Sequence, residues 1–283
     1  MTLNGNKLFA PVKIVCEACT LGRMIKLSRP YTGTVDVQSY AIIYLDVIGP
    51  VRGLGPKGEQ YISVIHVGWS KWTEIALLSE KSSVASHAKG FCIRYNNRFS
   101  SMPGYGPIQE SRSDGGSEYK GAYTVYCQET GILQQLSAPY TSQQNGAAER
   151  MNRTILERAR TLILSGKIAR KHWPHAFQTA VYLLNRTKPV QVSKNVYKTP
   201  YELHYGSKPD AGRFRIYGCT AYAYNRDVKA HKLDQRGIRC KFIGYTETMK
   251  AYILYNPITS KLLYTDDVIF NENELVQEAG ATY

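Results

Sequence analysis

Negative charge is scarce in this chain, and the shortage is uneven. Across 283 residues, 36 Lys and Arg stand against 22 Asp and Glu, a net charge of +14. Residues 1–149 carry 14 basic against 11 acidic side chains, residues 150–250 carry 21 against 6, and the last 33 carry 1 against 5. An excess confined to one stretch predicts a positive face suited to a polyanion, with a solvated Lys-rich surface as the plainer alternative. Long apolar runs are missing as well. No stretch of roughly 18 apolar residues occurs, and the opening MTLNGNKLFAPVK has no apolar signal core, so neither a membrane span nor a secretory leader is expected. Cysteine is sparse: of six, only Cys16 and Cys19 lie close together, which argues for reducing conditions and against a disulfide framework.

What is present reads as alternating strands and helices, then strands alone. Residues 40–48 (YAIIYLDVI) form an apolar run broken only by Asp46, which should sit near the exposed end of a buried strand or in a site. Residues 61–69 and 72–78 predict a hairpin turning on Ser70-Lys71, and 82–100 have helical spacing. A short strand should end at Asp114 and turn on Gly115-Gly116, followed by a helix over 119–130 and a strand over 132–139. From Ala147 to Leu164, Ala148, Met151, Ile155, Ala159, Leu162 and Ile163 make one apolar stripe, with Glu149, Asn152, Arg153, Leu156 and Arg160 on a neighbouring face. A further helix is expected over 171–187. The chain then reads as a basic connector over 191–215, a small all-β module over 216–270 and an acidic tail over 271–283.

Three acids stand out by position: Asp46 on a strand, Asp114 at a strand end and Glu149 at a helix start. A mixed sheet can bring the two aspartates to one rim, and a helix entering over that rim can add the glutamate. Three converging carboxylates repel one another unless a cation neutralises them, so the matching ligand is Mg²⁺ or Mn²⁺. Two such ions roughly 3.5–4 Å apart would clamp an in-line phosphoryl displacement. The polar loop before Glu149, PYTSQQNG, gains little from burial and fits a segment whose partner is DNA.

These motifs resemble one family. Asp46 in LDVIGP, Asp114 in RSDGGSEYKG and Glu149 in PYTSQQNGAAERMNRTILERAR match the D,D,E triad of Copia-type long-terminal-repeat retrotransposon integrases. Downstream, AVYLLNRT, TPYELHYGSKPD, Gly218-Cys219 and KLDQRGIRCKFIGY are similar to that family's helical extension and β module. The resemblance implies an α/β fold, a ribonuclease H-like mixed sheet flanked by helices over 30–190. It also implies strand transfer of element cDNA ends into host DNA with two Mg²⁺ or Mn²⁺ ions, nuclear action, a homo-multimer and a chromatin tethering protein as further partner. A nuclease or transposase using water, and a non-catalytic nucleic-acid-binding remnant, stay open as alternatives. Gly115 stands where the family commonly has Asn, and Tyr44 where it often has His or Ser. Neither position is a metal ligand.

In the family, a His pair upstream of a Cys-x-x-Cys motif completes a zinc site; no His precedes Cys16 here, so residues 1–29 are expected to be a truncated zinc module that binds Zn²⁺ only if completed upstream. Gln144 and Asn145 are candidates for DNA contact, although Asn-Gly is also a common turn pair. Arg150 and Arg153 oppose the helix dipole at their position, which points to a phosphate partner, with pairing to Glu149 and Glu157 as the alternative for Arg150; Arg160 lies on the face of Glu149 and Arg153. Glu118 is expected to be solvated. His172 and His175, three residues apart beside Trp173-Pro174, are expected to pack rather than ligate metal.

Overall fold

The computed structural model describes residues 42–99, 106–137, 146–225, 233, 235–246 and 250–273. Its first sheet contains β1 (Ile42–Ile48), β2 (Tyr61–Val67), β3 (Thr73–Leu78), β4 (Glu110–Ser113) and β5 (Leu133–Leu136), in the order β3-β2-β1-β4-β5. The first three strands are mutually antiparallel, whereas β1–β4 and β4–β5 run parallel. The expected mixed sheet with flanking helices is therefore present.

Both faces of this sheet are covered, which is why β1 and β2 read as nearly continuous apolar runs. Ile43, Leu45, Ile65 and Val67 face α1 (Val84–Phe99) and α2 (Ala122–Thr130), meeting Val84, Phe91, Tyr95 and Tyr123. Ile62 and Val64 face the other way, toward α3 (Gly146–Gly166) and α4 (Trp173–Thr187). The stripe read from the sequence is the one α3 buries: Ala148, Met151, Ile155 and Ala159 are buried, and Leu162 and Ile163 pack at its edge. The helix expected at 119 begins at Ala122, because Ser117–Tyr119 form a 3-10 turn and Gly121 takes φ +69°.

The stretch expected to be a plain basic connector carries structure. A hairpin pairs β6 (Val190–Ser193) with β7 (Val196–Lys198), turning through Asn195 at φ 63°, and α5 (Pro200–Tyr205) follows. A capping box opens α5: Thr199 Oγ1 accepts from the Glu202 backbone N–H, and the Glu202 carboxylate accepts from the Thr199 N–H. The second sheet, β11-β10-β9-β8-β12, is antiparallel throughout: β8 (Thr220–Tyr224), β9 (Gly237–Tyr245), β10 (Tyr252–Tyr255), β11 (Leu262–Thr265) and β12 (Val268–Asn271). Ile243 and Ile253 join the α3–α4 core, and Thr179 Oγ1 donates to the Ile243 carbonyl at 3.2 Å. The four described cysteines, Cys92, Cys127, Cys219 and Cys240, are buried thiols, and no described helix is long and apolar enough to cross a membrane.

Asn185 ties the helical layer to the edge of the first sheet. Its Oδ1 accepts from the Thr73 N–H at 3.0 Å and its Nδ2 donates to the Thr73 carbonyl at 2.7 Å, with both residues buried. The side-chain amide thus satisfies edge-strand groups that would otherwise be orphaned. Asn185→Ala leaves both groups unpaired and is expected to cost about 1–3 kcal/mol for each, read as a lower urea midpoint at unchanged slope.

Candidate active site

The parallel pairing of β1 with β4 decides where the two aspartates meet. Tyr44 lies opposite Arg112, so two residues further along each strand Asp46 and Asp114 arrive at the same end of the sheet. Strand alternation turns Asp46 to the side of Ile48, toward α3, and away from Leu45. There Asp46 Oδ2 accepts from Asn152 Nδ2 at 2.7 Å, and Oδ1 accepts from the Val47 N–H at 2.7 Å. Asp114 follows β4 on an exposed turn, where its Oδ1 accepts from the Gly116 N–H at 3.2 Å. Glu149 occupies the exposed first turn of α3.

Asp46 registers all of these acids. Its pKa is pushed up from 3.8 to about 6, chiefly by burial, then by the negative charges of Asp114, Glu149 and Glu118, against the lowering effect of the Val47 N–H. The ionised form of Asp46 is thus disfavoured, because burial and the neighbouring carboxylates outweigh the Val47 N–H. As placed, no three His, Cys, Asp or Glu side chains among the described residues are close enough to grip one ion together. Asp114 and Glu149 are therefore within electrostatic reach of Asp46 without the three forming a finished coordination shell. The donor set nevertheless fits a hard divalent cation, being all carboxylate oxygen, and a buried Tyr119 hydroxyl beside it lacks a hydrogen-bond partner among the described residues.

Three neighbours of the site take their place beside it only in the fold. Glu118, expected to be solvated, has a side chain only 8% exposed: the 3-10 turn tucks it inward, and Lys81 Nζ stands 3.5 Å from its Oε1. Tyr119 is 1% exposed, and burial together with Asp46, Asp114 and Glu118 raises its phenol well above the usual range. Asn152, three residues after Glu149, shares its helix face, but its bond to Asp46 depends on where α3 crosses β1. Helical periodicity alone carried a signal for Asn152, whereas nothing local distinguishes Glu118 from a surface acid.

Arg150, Arg153 and Arg160 are exposed along α3. Gln144, Asn145, Cys16 and Cys19 lie outside the described residues. His172 is buried against the Tyr255 ring at 4.4 Å, with burial pushing its pKa down to about 4; it lies 6.1 Å from the His175 ring.

Residues 219–280 match the family model described as the retroviral polymerase SH3-like domain. The chain is 29% identical over 261 residues to the Retrovirus-related Pol polyprotein from transposon TNT 1-94 of Nicotiana tabacum, covering 92% of this chain and 19% of that protein. It is 30% identical over 261 residues to the Retrovirus-related Pol polyprotein from transposon RE1 of Arabidopsis thaliana, covering 91% of this chain and 17% of the relative. The chain thus spans less than a fifth of the length of these relatives. Among solved structures, the catalytic core domain of BIV integrase aligns with a TM-score of 0.40 at 19% identity, over 59% of this chain and 95% of that one. The chain's homologues are Pol polyproteins of plant Copia-type retrotransposons.

Proposed function

We propose that this homologue of plant Copia-type Pol polyproteins acts as their integrase portion, transferring the 3′ ends of element cDNA into host DNA in a metal-dependent reaction. The observation that carries this reading is the Asp46 carboxyl, half-buried beside Asn152 and under the combined charge of Asp114 and Glu149. Asp46, Asp114 and Glu149 would hold Mg²⁺ or Mn²⁺, which when bound supplies Lewis acidity to the attacking hydroxyl and the leaving oxygen. The chain's own residues aim that site. Asn152 and the Val47 N–H fix both oxygens of Asp46, and the Gly116 N–H fixes one of Asp114.

Arg150, Arg153 and Arg160 are assigned to phosphates of the bound DNA, because they are exposed on the helix that carries Glu149 and such contacts give sequence-independent affinity. Gln144 and Asn145 are assigned to DNA near the reacting end. The activity implies a homo-multimer that holds two cDNA ends, work in the nucleus, and a chromatin protein as tether; Zn²⁺ at Cys16 and Cys19 requires further ligands.

The test is incubation of the chain with end-matched oligonucleotide duplexes in Mg²⁺. Products longer than the input strand are expected, because joining transfers one strand onto another. Shortened strands alone would instead assign a water-using nuclease, and unchanged strands with retained DNA binding would assign a non-catalytic binding protein.

A further inference from the structure

The turn after Asp114 holds a second acid and a buried hydroxyl that the three-carboxylate site does not use. Gly116 shows how tightly they gather: a Cβ added there would meet Glu118 Oε2 at 2.6 Å and Asp114 Oδ1 at 3.0 Å. The two carboxylates therefore flank one glycine, from opposite ends of a five-residue segment. Lys81 Nζ, 3.5 Å from Glu118 Oε1 and half-exposed, sits on the outer side of Glu118. Beneath them, the backbone carbonyl of Tyr119 accepts from Gln134 Nε2 at 2.7 Å and Thr124 Oγ1 at 3.2 Å, which holds the residue in place. Its hydroxyl, fully enclosed, has no hydrogen-bond partner among the described residues.

An orphaned buried hydroxyl costs free energy, and one set among carboxylates is placed to donate once an oxygen moves within reach. We propose that Glu118 and Tyr119 extend the cation site: Glu118 is a fourth carboxylate that adds negative charge beside Asp114, and the Tyr119 hydroxyl donates to a carboxylate oxygen turned toward the bound ion. Both are positioning residues. The inference rests on Asp46, Asp114 and Glu149 being the cation ligands, and it adds that their affinity is set partly by the turn.

The test is Mn²⁺ titration of the full chain, followed by electron paramagnetic resonance, for the unaltered protein and for Glu118→Gln, Tyr119→Phe and Asp114→Asn, with thermal unfolding of each in chelator. Glu118→Gln and Tyr119→Phe are each expected to weaken Mn²⁺ binding roughly 10–100-fold, the scale of losing an outer-shell partner. Tyr119→Phe should not lower the cation-free unfolding midpoint, because it removes a group that has no partner there. If both variants bind Mn²⁺ as the unaltered protein does while Asp114→Asn loses binding, the extended site is overturned and the three-acid site stands. If Asp114→Asn also binds normally, both are overturned. A fall in the chelator midpoint of Tyr119→Phe, with Mn²⁺ affinity unchanged, would make the hydroxyl a structural group and overturn its assigned role.

Discussion

Asp114→Asn is expected to reduce strand transfer in Mg²⁺ by roughly a hundred- to a thousandfold, the scale of removing a preorganised electrostatic contact from a reacting centre. The substitution keeps an acceptor oxygen of the same size, so the bond from the Gly116 N–H, and with it the turn, can persist. What is lost is one negative charge from a position that acts on Asp46. DNA affinity should be unchanged or slightly stronger, because the polyanion is drawn by the basic excess of residues 150–250 and repelled by acids. Joining of labelled oligonucleotides and fluorescence anisotropy on the same preparation measure the two effects separately. Full strand transfer by Asp114→Asn would remove Asp114 from the chemistry. Equal loss of joining and binding would place it in the fold or the DNA interface instead.

Asp46→Asn is expected to stabilise the cation-free protein at neutral pH. The folded-state pKa of Asp46 is about 6 against an ordinary 3.8, so between these values the folded protein holds a proton that the unfolded chain has released. Folding stability from this group is therefore fully present below about pH 4, declines as pH rises toward 6 and is gone above that. Asn has no such loss. The difference between the two proteins should grow from near zero at pH 4 to on the order of 2–3 kcal/mol at pH 7. Mg²⁺ should reverse the order above pH 6, since it binds the ionised carboxylate of the unaltered protein and has less to bind in the variant. Urea unfolding across pH, with and without Mg²⁺, reads both effects. A variant less stable than the unaltered chain at pH 7 in chelator would mean that Asp46 is held as a structural acceptor.

Much of the first sheet was legible because its signals are local. Apolar runs flanked by Gly, Pro or Ser marked β1 to β3, and the stripe from Ala148 to Ile163 identified the buried face of α3. The elements missed between 188 and 215 are short, and basic composition masked them. Their signals were present in Thr199-Pro200-Tyr201-Glu202, a capping box, and in Asn195, which tolerates the left-handed turn of a hairpin. Glu118 was misread for another reason. An acid two residues past a glycine turn is normally solvated, and only the packing of the 3-10 turn beside Lys81 withdraws it from water.

The chain by itself determined which acids are candidates for chemistry and which elements carry them: Asp46 on a strand, Asp114 at a strand end, Glu149 in the first turn of a long helix, and a basic stretch after them. Tertiary structure alone decided that β4 lies parallel beside β1, that α3 crosses close enough for Asn152 to hold Asp46, and that Glu118 and Tyr119 join the same rim. The division follows from range. Periodicity and turn chemistry act over a few residues, whereas the charge on Asp46 depends on desolvation and on acids up to 103 residues away, which no local pattern encodes.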